Sequence, residues 1–204
     1  MKELKKRILD ISYKKKLSHI GSCLNAVGVI ESMYSSKKPE DKFVLSYGHA
    51  FLALAVVLEK HLGLDAEKLV EEHGTHPNRN VDEDIWVSTG SLGQGLPIAV
   101  GMAMADKTKE IYVVCSDGEM AEGSMWEALR IAGEQRLENL NIAVVANGYS
   151  AYGKVDVDWL DDRINSFYPS LVVRTNLFEY PDWLQGIKGH YVVMNEDQYK
   201  EVTK

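Results

Sequence analysis

The sequence predicts an α/β fold of three layers, α/β/α, built on a mainly parallel sheet. Three observations predict it. Residues 111–115 (Ile-Tyr-Val-Val-Cys) and 140–145 (Leu-Asn-Ile-Ala-Val-Val) read as buried strands, and residues 125–136 between them carry a helical pattern. Such a strand–helix–strand crossover is the unit of a parallel sheet. Residues 43–46 form another short apolar run that ends in a loop, Tyr47-Gly48-His49. Finally, 204 residues at 45% hydrophobic, with 16 Gly and only 5 Pro, are enough for one α/β core that folds without staples.

From the N-terminus, residues 2–17 read as an amphipathic helix, 19–22 as a Gly- and Ser-containing loop, and 26–34 as a second helix. After the strand at 43–46, residues 51–62 are a strongly apolar helix closed by Gly63. Residues 73–91 are polar and irregular and read as a long surface loop, a length that is usually functional or disordered. Residues 92–106, rich in Ala, Gly and Met, read as a closely packed helix, buried within the fold or at a twofold interface. Beyond the crossover, residues 157–164 predict a short helix, 171–173 and 191–193 two closing strands, and 196–202 a final helix. There is no internal repeat or linker, so residues 1–204 are expected to form a single domain.

The net charge of −7 argues against a nucleic-acid partner. The one basic cluster, Lys2, Lys5, Lys6, Arg7 and Lys14 to Lys16, reads as a solvated helix face. Cys23 and Cys115 show no metal spacing and read as reduced, buried thiols. The longest apolar run, residues 51–58, is too short to span a bilayer, and the N-terminus has no apolar signal core. A cytoplasmic protein with no membrane partner is expected.

Ligands of open parallel sheets bind beyond the carboxyl ends of the strands. Two polar clusters fall at such ends, Ser116-Asp117-Gly118-Glu119 and Ala146-Asn147-Gly148-Tyr149, with Asp117 and Asn147 thirty residues apart. If the two strands are neighbours, the Asp117 carboxylate and the Asn147 amide oxygen converge. Two hard oxygen donors with open positions suit Mg²⁺ holding a diphosphate, and a helix starting near Gly123 adds free N–H groups. Singly, Asp-Gly and Asn-Gly are ordinary turn signals; at strand ends one crossover apart, the metal–diphosphate reading is the better one.

Ser116-Asp117-Gly118 followed by Asn147 resembles the thiamine-diphosphate motif, Gly-Asp-Gly with Asn one crossover later, with Ser116 for the first Gly. Flanking segments resemble the transketolases in particular. Residues 89–95, Thr-Gly-Ser-Leu-Gly-Gln-Gly, resemble their Thr-Gly-Pro-Leu-Gly-Gln-Gly. Residues 43–49, Phe-Val-Leu-Ser-Tyr-Gly-His, resemble their Phe-Val-Leu-Ser-Asn-Gly-His. Ser18-His19-Ile20-Gly21 stands for Gly-His-Pro-Gly, and Gly74-Thr75-His76-Pro77 resembles Pro-Gly-His-Pro. The match runs in order from about Arg7 to about Gly153.

The resemblance implies the thiamine-diphosphate-binding fold and a set of roles. Asp117, Asn147 and the Tyr149 carbonyl would ligate Mg²⁺, or Ca²⁺ in its place. Gly118 would admit the diphosphate, which His49 would hydrogen-bond, and Gly90 and Leu92 would pack on the cofactor. His19 and His76 would line the substrate channel. Glu122 and Glu127 would couple to a partner's carboxylates, against the plainer reading of helix N-terminal acids. His61 and His190 read as surface or structurally bonded. His73 and His76, three apart, lack a third ligand for a metal pair.

In the family a second domain supplies the pyrimidine pocket and much of the sugar-phosphate recognition, and no such unit is visible here. The chain is therefore expected to be one subunit of a split transketolase, inactive alone. It would move a two-carbon ketol unit between sugar phosphates, as in the pentose phosphate pathway, in a heterotetramer with a pyrimidine-domain subunit. Residues 159–204 read as a compact tail without the family's late Gly- and His-containing loop, so no histidine is expected to cover the diphosphate. Three alternatives remain at this level. One is another ketol-handling thiamine enzyme, of dihydroxyacetone synthase or 1-deoxyxylulose-phosphate synthase type. The second is a non-catalytic diphosphate-binding or regulatory domain. The last is an unrelated nucleotide-binding domain, disfavoured by the absence of GxGxxG and GxxxxGK[ST] runs.

Overall fold

Four parallel strands carry the fold in a computed structural model that describes residues 1–204. In chain order the strands are β1 (Lys42–Leu45), β2 (Ile111–Ser116), β3 (Leu140–Ala146), β4 (Tyr149–Ser150), β5 (Gly153–Lys154) and β6 (Leu171–Arg174). The main sheet runs β1-β2-β3-β6, parallel throughout, and β4 and β5 form a small antiparallel hairpin beside it. The helices are α1 (Lys2–Lys15), α2 (Ile20–Ser36), α3 (Phe51–Leu62), α4 (Ala66–His73), α5 (Gly95–Ala105), α6 (Gly123–Glu134), α7 (Val157–Phe167), α8 (Gly186–Tyr191) and α9 (Glu196–Val202).

The period of two along each strand divides the core into two layers. Phe43, Leu45, Val114, Ala143 and Val145 pack into one core with α1 to α4, whereas Val44, Val113, Cys115, Ile142 and Val144 pack into the other with α5 to α7. A sheet covered by helices on both faces needs apolar residues at nearly every strand position, and these strands have them. The three-layer α/β/α architecture is the one the sequence predicts.

The basic residues of α1 do more than solvate a face. Arg7 donates to both Glu59 carboxylate oxygens at 2.9 and 3.0 Å and to Glu67 at 3.1 Å, while Lys14 pairs with Glu67 and Lys15 with Glu71. These contacts, one of them a two-pronged guanidinium–carboxylate pair, tie α1 to α3 and α4.

Three elements differ from expectation. Helix α2 begins at Ile20, because the small Gly21 and Ser22 that read as a loop permit a close approach to α8: a Cβ on Gly21 would sit 3.1 Å from the Gly189 backbone. Helix α4 was not anticipated, although Asp65 caps it by accepting from the Glu67 and Lys68 N–H groups. Residues 191–193 form no strand; Tyr191 ends α8, and Val193 is 45% exposed with no neighbouring strand to pair with. No helix is long and apolar enough to cross a membrane.

Candidate functional site

A cavity of about 250 Å³ opens where β1, β2 and β3 end, which is where an open parallel sheet offers its ligand site. Its walls include His49, Gly90, Leu92, Asp117, Gly118, Asn147 and Tyr149. All the residues expected from sequence to touch a cofactor or its metal are thus brought together.

Strand register explains the central pair. Ser116 on β2 faces Val145 on β3, and the Asp117 N–H donates to the Val145 carbonyl at 3.0 Å, so the two loops leave the sheet side by side. The Gly148 N–H then donates to Asp117 Oδ2 at 2.7 Å and the Gly118 N–H to Oδ1 at 2.9 Å. Gly148 can point its N–H inward because it holds φ +81, a conformation that favours glycine. Asn147 Oδ1 accepts from the Tyr149 N–H at 2.9 Å and starts the turn into the β4–β5 hairpin. The turn reading and the ligand reading of Asn-Gly therefore coexist. A Cβ on Gly118 would come within 3.2 Å of Ser150, so glycine keeps this part of the wall open.

Asp117 is 3% exposed, and burial pushes its carboxyl up to about 6 although backbone N–H donors pull the other way. No salt bridge reaches it. A buried acid without a cationic partner, beside an amide oxygen and open space, is a fitting donor set for Mg²⁺.

Three imidazoles cluster over this floor. The rings of His19 and His49 are 5.1 Å apart, those of His19 and His190 4.4 Å, and those of His49 and His190 5.0 Å. Burial, with the other histidines adding to it, lowers His49 to about 3 and His19 to about 4. They are neutral near pH 7 and act there as hydrogen-bonding groups without charge. His19 sits at φ 63, the left-handed region, immediately before α2, where the His190 carbonyl accepts from its N–H at 2.8 Å. His76 is exposed and lies farther out, its ring against Gly90.

His190 corrects the sequence reading. Gly186, Ile187 and His190 line the cavity, so the late Gly- and His-containing segment does exist and a histidine does reach the site. The segment is short and helical, and it is held on α2 by the Gly21–Gly189 contact and by Ser22 Oγ to His190 Nδ1 at 3.2 Å. The signal in the sequence was Gly186-Ile187-Lys188-Gly189-His190 itself, masked by an apolar run read as a strand.

Two other residues escaped notice. Glu119 is fully buried, with its carboxyl raised by desolvation; its Oε1 accepts from Ser46 Oγ at 2.7 Å and from the Gly93 N–H at 2.9 Å. It fastens the Gly90–Gly93 loop to the strand ends. Tyr47, also buried, lines the cavity with its ring centroid 5.4 Å from that of His49. By contrast, Glu122 is half-buried beside Gly93, and Glu127 is exposed and paired with Arg130; neither lines the cavity. His61 pairs with Glu31 at 2.9 Å. His73 donates from Nε2 to Glu83 at 2.7 Å and accepts the Asn78 N–H on Nδ1, so both its ring nitrogens are engaged.

Residues 8–172 match a family model described as the transketolase thiamine diphosphate binding domain. Among curated relatives, the chain is 30% identical to one of the subunits of the apulose-4-phosphate transketolase of Phocaeicola vulgatus, with 98% of this chain and 90% of the relative covered. It is 32% identical to 6-deoxy-6-sulfo-D-fructose transketolase subunit SqwG of a Clostridium species, over 92% of this chain and 72% of the relative. Among solved structures, Pichia stipitis transketolase in complex with sedoheptulose 7-phosphate superposes with a TM-score of 0.74 at 22% identity, covering 98% of this chain but only 39% of that one. That likeness is one of fold.

Proposed function

The chain belongs to the transketolase family of thiamine-diphosphate-binding domains, and from that premise we propose that it is the N-terminal, diphosphate-side subunit of a split transketolase. With a separate pyrimidine-domain subunit it would transfer a two-carbon ketol unit between sugar phosphates. The observation that carries this reading is the convergence of Asp117, Asn147, Gly118 and His49 on one cavity at the strand ends, with Asp117 buried and uncompensated. Residues 1–204 act as a single domain in this reading. Two relatives bear the words "transketolase subunit" in their names, which supports a two-chain enzyme.

Asp117, Asn147 and the Tyr149 carbonyl hold the Mg²⁺, and the metal offsets the cost of the buried carboxylate. Gly118 lets the diphosphate approach the backbone. His49 and His190 hydrogen-bond its oxygens as neutral donors, and Gly90 and Leu92 pack on the rings. Bound thiamine diphosphate supplies the stabilised carbanion that the protein's side chains cannot. His19 and the more distant His76 orient the sugar at the cavity's outer side. Glu122 and Glu127, outside the cavity, face the partner. Tyr149, Tyr152, Ile187 and Tyr191, between 40% and 79% exposed, form an apolar rim that a pyrimidine domain would cover.

Calorimetric titration of the chain with thiamine diphosphate tests the site. Binding should need both Mg²⁺ and Asp117, and Asp117→Ala should abolish it. Mg²⁺-independent binding, or an unaffected variant, would refute the assignment of the metal ligands. Ketol transfer by the chain reconstituted with a pyrimidine-domain subunit, and by neither alone, tests the split enzyme.

A further inference from the structure

A second cavity, of about 380 Å³, lies between α2 and β6 and shares the Asn25 wall with the first. Leu24, Val29 and Met33 of α2 and Leu171 and Val173 of β6 make its surface largely apolar. Two polar atoms lie just beneath that surface. Asn25 Oδ1 and Thr175 Oγ1 are both buried without a hydrogen-bond partner, and both residues line the cavity. The Asn25 amide is oriented, because Nδ2 donates to the Gly21 carbonyl at 2.9 Å and leaves Oδ1 free. Asn25 is only 9% exposed, so bulk water does not satisfy it. The Thr175 N–H is already spent on the Ala146 carbonyl at 2.8 Å. Buried polar atoms are nearly always paired, and two orphans in one apolar cavity mark a place where something else supplies the partners. The only charged side chain in the wall, Lys5, is already paired with Glu179 at 2.8 Å.

We propose that this cavity is a second small-molecule site. Its ligand is uncharged, with an apolar body against α2 and β6 and a hydroxyl or amide N–H that donates to Asn25 Oδ1 and shares a hydrogen bond with Thr175 Oγ1. Asn25 lines both cavities and is anchored to Gly21, which lines the first. The site stands on α2, β6 and the Thr175–Asn176 segment after it, whatever the first cavity binds.

The test is an NMR titration of the ¹⁵N-labelled full chain with phenol, which can donate a hydrogen bond, and with anisole, which cannot. Phenol should give saturable shifts at Gly28, Val29, Val173 and Thr175 and bind about fivefold more tightly than anisole, the value of one net hydrogen bond. Thr175→Val and Asn25→Leu should each remove that preference. If Asn25→Leu fails to fold, Thr175→Val and the anisole comparison decide. Equal affinity for the two probes, shifts confined to Gly118, Asn147 and their neighbours, or no saturation at all would overturn the proposal; in the last case ordered water alone fills the cavity.

Discussion

Replacing Asp117 by asparagine should change how stability depends on pH, and the structure fixes the sign. Burial raises the folded-state carboxyl from an ordinary 3.8 to about 6. The folded chain therefore holds this proton more tightly than the unfolded chain does. The stability it contributes is fully present below about pH 3.8 and is lost as the pH rises through about 6. Integrated between about pH 5 and about pH 8, the loss is about 1.4 kcal/mol. The asparagine side chain has no such proton to lose, so the variant lacks this slope. It also turns an NH₂ toward the Gly118 or Gly148 N–H, which now share two carboxylate oxygens, and that lost bond costs a constant of roughly 1 kcal/mol. Urea denaturation of both proteins across this range, without metal, gives the comparison. The difference in unfolding free energy should shift by about 1.4 kcal/mol in favour of the variant from low to high pH. A flat difference would sink the claim that Asp117 is buried without a compensating cation. Adding Mg²⁺ and diphosphate should stabilise the wild type alone.

Other outcomes follow from the same contacts. His190→Ala should weaken Mg²⁺–thiamine diphosphate binding roughly tenfold through loss of a buried hydrogen-bonding group, measured by calorimetry; an unchanged affinity would remove His190 from the site. Gly93→Ala should destabilise by about 1–3 kcal/mol, because φ is +79 and a Cβ would meet Ser124 Oγ at 2.5 Å and Glu122 Cβ at 2.7 Å; thermal unfolding reads this out. Glu119→Leu removes the acceptor shared by Ser46 and Gly93 and should lower stability by roughly 2–3 kcal/mol, whereas Glu119→Gln should keep most of it. Serine at both Tyr152 and Tyr191, the most exposed of the apolar rim, should weaken association with a pyrimidine-domain subunit in a pull-down while leaving cofactor binding intact.

The sheet was legible because β1, β2 and β3 are buried on both faces, and that condition leaves a continuous apolar run in the sequence. The meeting of Asp117 and Asn147 on one cavity was legible because a parallel crossover fixes where the strand ends lie, so the two could be placed together from their spacing. The His190 contribution was hidden for the opposite reason. It depends on contact between Gly21 and Gly189, far apart in sequence, and no local pattern encodes which glycines meet. The same contact turned residues 20–22 from an expected loop into the first turn of α2. Helix α4 was short enough for its cap at Asp65 to be the main cue. Glu119 looked like one more acid in a turn; its burial follows from Ser46 and Gly93 closing over it from separate segments.

The clasp between α2 and α8 also sets a timetable. Its two halves, Gly21 with Ser22 and Gly189 with His190, are separated by almost the whole sequence, whereas the Asp117–Gly148 contact needs only one crossover. Loop closure over the longer span is entropically the more demanding, and the later residues leave the ribosome last. A nascent or partly unravelled chain can thus own a formed sheet and the Asp117–Gly148 contact while His190 has not yet reached the cavity. A complete cavity wall, with His190 in place, therefore marks a chain that has finished folding.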